Sequence, residues 1–119
     1  MHLHNSISTA KDLLNNEEKA FVVFTRGDHF HYDINGNGET GLWVAGAISL
    51  SMISKVIIYK KDEITESNHV FIANYLHWSD SPLEGRKILH FSGLEDKGTT
   101  ASNWFEFGGS AWSPTFYIR

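Results

Sequence analysis

Three apolar segments, 55–59, 69–78 and 86–91, follow one another with connections shorter than a helical crossover. Consecutive parallel strands need a dozen or more connecting residues, so these segments must run back and forth as an antiparallel meander. Val56-Ile-Ile-Tyr is β-branched on both faces, which marks a central strand. The segment 69–78 alternates, with Val70, Ile72, Leu76 and Trp78 on one side and His69, Phe71, Ala73, Tyr75 and His77 on the other. In 86–91, Ile88 and His90 point opposite to Leu89 and Phe91.

Around this meander the sequence predicts smaller elements. Ser8 caps a helix over 8–18, which Asn15 and Asn16 end after two turns by offering side-chain alternatives to helix bonds. A buried strand follows over 20–25. The two Asn-Gly pairs in 33–38 favour a tight hairpin before a strand at 41–45. A short helix starts near Ser49 with Ile48, Met52 and Ile53 inward. Residues 93–102 read as a polar loop, 104–107 precede a Gly108-Gly109 break, and 115–118 form a last strand. The fold class is mainly β (α+β): a small curled antiparallel sheet or barrel with one or two short helices, closure being one way to remove exposed edges. At 119 residues the chain holds one core, so 1–119 is a single domain.

Composition narrows the chemistry. The absence of cysteine excludes disulfide scaffolds and thiolate sites and suits a reducing, cytoplasmic compartment. Neither a secretion signal nor an apolar run of about 20 residues is present, so no membrane partner is expected. Fourteen acidic against ten basic side chains disfavour a non-specific phosphate binder. There is no Walker or Rossmann glycine pattern and no G-x-S-x-G elbow. His90, Ser92 and Asp96 make no triad by sequence proximity, and nothing fixes a separation among Asp80, Glu84, Glu95 and Glu106 for acid–base work. No catalytic residue and no cofactor is assigned, and an enzyme is the minority reading.

Two patterns point to binding. Trp43, Trp78 and Trp104, with Tyr75 and Trp112, stand beside glycine, serine or asparagine, where rings can stack on a planar ligand. Asn103, Asn74 or Ser102 are suited to reading the edge of such a ring. Lys55, Lys60, Lys61, Arg86 and Lys87 form a possible phosphate-contacting rim. His29 and His31, about 7 Å apart on one face of an extended chain, are weak metal-ligand candidates beside Asp28 and Asp33. Asp33, Asn35, Asn37 and Gly38 imitate half of a calcium loop, but Val44 occupies the twelfth position, where that loop needs glutamate.

The order of elements from Gly41 through Asp96, with Lys55-Val-Ile-Ile-Tyr, His69-Val-Phe-Ile-Ala and Arg86-Lys-Ile-Leu-His-Phe as strands, resembles the PUA-like superfamily, especially its EVE and ASCH relatives. The resemblance covers about half the chain. It implies a curled barrel that binds RNA or modified bases in DNA between the barrel and a short helix. Gly41, Trp43 and Ser49 would then lie near the start of the cleft, with Trp78 on its other wall. The expectation is a non-catalytic recognition module; the alternative is a protein-interaction or inhibitor protein using an exposed aromatic surface.

Overall fold

The structure is a computed structural model and describes residues 7–119. Strands β1 (Ala20–Thr25), β2 (Phe30–Tyr32), β3 (Gly38–Trp43), β4 (Lys55–Lys61), β5 (Asn68–Asp80), β6 (Lys87–Thr100) and β7 (Thr115–Ile118) form one sheet. Two one-turn helices, α1 (Ala47–Leu50) and α2 (Trp104–Phe107), and a 3₁₀ turn (Ala10–Leu13) complete the chain. The fold is mainly β, and β4, β5 and β6 form the antiparallel meander that their short connections require.

The sheet order is β2-β3-β6-β5-β4-β1-β7. The expectation of an antiparallel sheet is corrected at one seam, because β1 runs parallel to β4, Phe21 opposite Val56 and Val23 opposite Ile58. Residues 26–54, which contain the β2–β3 hairpin and α1, make a crossover long enough to permit this. The barrel expectation is corrected too: β2 and β7 remain edges, so the sheet does not close. It curls instead, and side chains join where backbones do not. Phe30 of β2 packs its ring against Phe71 of β5 at 5.3 Å between centroids, across a gap that no ladder bridges.

Alternation divides the apolar residues between two layers. Phe21, Val23, Val56, Ile58, Phe71, Ala73, Leu89 and Phe91 enclose a core with Phe30, Trp43 and Leu50. Ala20, Val22, Ile57, Tyr59, Val70, Ile72 and Ile118 face the other way and are covered by Ala10 and Phe107. Trp78 departs from the alternation read in the sequence. The β5–β6 register shifts between Tyr75 and His77, and Trp78 joins Tyr75 against the first layer. One extra residue in a strand reverses the facing of everything beyond it.

Three further expectations change. The polar stretch 93–102 is mostly strand, since β6 continues to Thr100 with Ile72 opposite Glu95 and His69 opposite Thr99. Backbone pairing, indifferent to side-chain polarity, carries it. The 8–18 helix contracts to the 3₁₀ turn: Asp12 Oδ2 accepts the backbone N–H groups of Ser8 and Thr9 at 2.8 and 3.0 Å. Asn15 Oδ1 takes those of Glu17 and Glu18 at 3.0 and 3.1 Å, diverting the chain from helix. In α1 it is Leu50 that enters the core, while Ile48 and Met52 are exposed. The Asn-Gly hairpin forms as read, closed by Asp33 N–H to Asn37 O at 2.9 Å with Gly36 at φ +82°.

Candidate functional site

The feature most suited to holding a ligand lies where α2 meets the return to β7. Asn103 caps α2, and the turn fixes Trp104 on the second layer. The Trp104 indole N–H donates to the Ser113 carbonyl at 3.1 Å. Its ring is braced by Phe24, Tyr59 and Phe116, with centroids 5.5, 5.4 and 5.2 Å away. Gly109 passes so close to the indole that a Cβ there would overlap it. The chain then turns through 110–114, pinned by a bridge between Ser110 and Ser113.

At the tip of that turn Trp112 is 93% exposed, and Phe105 on α2 is 60% exposed. With Phe24, Trp104, Ala111 and Pro114 these rings line an open, mainly apolar groove of about 310 Å³. Arg26 places its guanidinium 5.2 Å from the centre of the Phe24 ring, and it pairs with Glu63. The groove thus combines one fixed indole, one presented indole and a cation beside its aromatic floor. Stacking is the chemistry available to it. Ser110 and Ser113 bring hydroxyls to its lining, but no histidine, lysine, aspartate or glutamate stands among the lining residues to activate them.

Of the residues singled out from the sequence, Trp104 is in this groove and Asn103 holds the turn that carries it. Trp43 lies in the interior at 7% exposure, its indole N–H given to Thr40 Oγ1 at 3.1 Å. Trp78 belongs to the same layer as Trp43 and is covered by the Lys87 ammonium 4.8 Å from its ring centre. Ser49 faces a cavity of only about 50 Å³ beside Tyr117. These three therefore do not share a site with Trp104, which packs on the opposite layer. Phe24 and Phe105 were not read as site residues. Their signal was the Gly-Gly break followed by Ser-Ala-Trp-Ser-Pro, a tight turn presenting a ring between a helix and a strand.

The basic side chains do not form one rim. Lys60 is level with His69 on β5 and Lys87 with Asp80, eleven residues apart in that strand. That separation is about 36 Å of strand contour. Lys55 donates to Asn74 Oδ1 at 2.7 Å and lies 3.6 Å from Glu18. Arg86 donates to the Leu42 carbonyl at 3.3 Å, Lys87 to that of Ala45 at 2.6 Å. Lys61, next to Lys60, ends β4 on the far side.

His29 stands in a turn at φ +56° and His31 on β2, both exposed. Asp33 Oδ1 already accepts the N–H groups of Asn35 and Asn37 at 2.9 and 3.0 Å, so the loop that imitates a calcium site is shaped by its own hydrogen bonds. Among the described residues, no group of three or more His, Asp or Glu side chains is placed to hold a metal ion. Asp96 is held by His69 Nε2 at 2.6 Å and by the Gly98 N–H at 2.8 Å, whereas His90 meets Ser79. His90, Ser92 and Asp96 therefore form no triad.

Among the described residues, no helix is long and apolar enough to cross a membrane. No protein-family model, no curated protein and no solved structure matches the chain.

Proposed function

We propose that this chain is a non-catalytic recognition module that takes a planar ring, such as a nucleobase of RNA or of modified DNA, in the groove between Trp104 and Trp112. The observation that carries the reading is Trp112, an indole 93% exposed beside a second indole whose N–H is already tied down. A large ring held in water at the tip of a pinned turn gains nothing for the fold, and a stacking partner is the chemistry that uses it. The Trp104 ring, braced on three sides, loses little freedom when a ligand arrives, which favours affinity. Arg26, beside the Phe24 wall and paired with the exposed Glu63, would meet a phosphate by exchanging that partner for it. The cysteine-free composition is in keeping with a cytoplasmic setting. The PUA-like resemblance supports the same class of ligand, with the ring received at α2 rather than beside α1.

The test is titration with single-stranded RNA, single-stranded DNA and duplex DNA carrying modified bases, followed by tryptophan fluorescence over a salt series. Binding with quenching is expected. Trp112→Ala should lose about 1–3 kcal/mol of it, the worth of one base stacked on one ring. No binding to any of these nucleic acids overturns the nucleobase reading. The apolar lining of the groove also favours a second reading, a protein-interaction or inhibitor factor that grips a partner with Phe105 and Trp112. Stoichiometric complex formation with a purified protein partner, abolished by Trp112→Ala and indifferent to salt, distinguishes it.

A further inference from the structure

Where the tip of the β2–β3 hairpin meets β5 and β6, an open groove of about 360 Å³ is left. The tip is anchored beside it, the Leu94 N–H donating to the Gly36 carbonyl at 3.0 Å. Tyr32 is 53% exposed in this groove, its ring held 5.2 Å from Phe30 and 6.2 Å from Phe71 between centroids. Ile34 is 99% exposed, and Leu94 lies against the core of the first layer. The groove is separate from that of Trp104, because Phe71 and Leu94 belong to the first layer and Trp104 to the second.

The charged side chains of its lining are both acidic, Asp33 and Asp96. Each carboxylate has one oxygen engaged: Asp33 Oδ1 by the N–H groups of Asn35 and Asn37, and Asp96 Oδ1 by His69 Nε2 and the Gly98 N–H. Among the described residues, neither Oδ2 makes a hydrogen bond within the chain. An ionised carboxylate only accepts, so His69 presents its Nε2–H to Asp96 and both carboxylates keep their charge. Lys97, the basic side chain next in sequence, is taken by Glu95 at 2.8 Å.

We propose that this groove receives an arginine side chain of a partner polypeptide. A guanidinium is planar and weakly hydrated, lies flat on an aromatic face and directs its fork of N–H groups at carboxylate oxygens. Tyr32 offers the face, Asp33 and Asp96 the oxygens, and Ile34 with Leu94 the apolar surface for the aliphatic stem. A lysine ammonium has no plane to lay on the ring and sheds its water less readily. Free arginine would bring its own carboxylate toward two aspartates, with no lysine or arginine in the lining to receive it. An arginine inside a polypeptide carries no such group.

The experiment is titration of the full chain with Nα-acetyl-arginine amide, followed by amide ¹H–¹⁵N shifts. The citrulline counterpart, uncharged and of the same shape, the lysine counterpart and free arginine are titrated in parallel. The arginine amide is expected to shift the amides of residues 33–36 and 94–96 and to bind more tightly than the other three. Asp33→Asn and Asp96→Asn each keep an acceptor for the existing backbone bonds and should weaken binding by about three- to tenfold. Tyr32→Ala should weaken it by about two- to fivefold, the worth of an exposed cation–π contact. The dispersed spectrum of each variant shows whether it has folded. Equal binding of the citrulline compound, or shifts that avoid both segments, overturns the proposal, and so does the absence of any shift. Tighter binding of free arginine overturns the choice of a polypeptide.

Discussion

Asn103 and Glu106 hold each other across the single turn of α2: the Asn103 side-chain oxygen accepts the Glu106 N–H at 2.8 Å, and Glu106 Oε1 accepts the Asn103 N–H at 2.9 Å. This reciprocal cap satisfies two backbone donors that one turn cannot satisfy internally. It also consumes the amide oxygen that sequence chemistry assigned to ligand recognition. Asn103→Ala should therefore cost about 1 kcal/mol in urea unfolding. A shift in Trp104 emission should accompany it.

Gly109 runs against the Trp104 indole with no room for a methyl group. Gly109→Ala should displace the ring from its place among Phe24, Tyr59 and Phe116 and destabilise the fold by about 1–3 kcal/mol, the ordinary cost of overpacking. Chemical denaturation measures the loss. Binding in the groove should weaken in the variant even where it remains folded.

Tyr59 is 2% exposed and donates its hydroxyl to the Ser102 carbonyl at 2.8 Å. Burial, aided by the nearby Glu106 charge, pushes its pKa up to about 12 from 10.0. Because the folded state keeps its proton longer than the unfolded state, this contribution is fully present below pH 10.0 and is lost as pH rises toward about 12. Unfolding free energies measured from pH 9 to 12 should fall over that window. Tyr59→Phe should begin about 1 kcal/mol less stable at neutral pH and show a shallower alkaline decline.

Ser113 blunts the free edge of β7. Phe24 N–H bonds the Pro114 carbonyl at 2.7 Å, so the register turns Phe116 and Ile118 toward β1 and leaves the backbone of Thr115 and Tyr117 facing outward. At Thr115 both groups are already used: its N–H donates to Ser113 Oγ at 3.2 Å, and the Ser113 hydroxyl donates to its carbonyl at 2.9 Å. Ser113→Ala reopens that pair and lengthens the exposed template. Sedimentation velocity should reveal concentration-dependent association in the variant, at concentrations where the parent chain stays monomeric.

The meander was legible because its evidence is local: short gaps between 55–59, 69–78 and 86–91 leave no other direction for the strands. The place of β1 was not, because Phe21-Val-Val-Phe is equally content beside any central strand, and only the whole sheet decides that it lies between β4 and β7. Glu95, Asp96 and Thr99 read as loop since their side chains are polar, yet their backbones pair with β5. The bulge near Tyr75 turned Trp78 over, and alternation counted from His69 had no means of showing it. For the groove, ring chemistry singled out Trp104. The remaining walls needed the docking of α2 beside β1. Dispersal of the lysines is a matter of register, which a single chain does not print.

The parallel seam has a consequence for synthesis. β1 leaves the ribosome before either of its neighbours in the sheet, β4 and β7, has been translated. Until Thr115–Ile118 emerge, the apolar run Phe21-Val-Val-Phe lacks one flank, so this sheet is completed only after β7 has been translated and relies on prompt docking or on chaperone shelter until then.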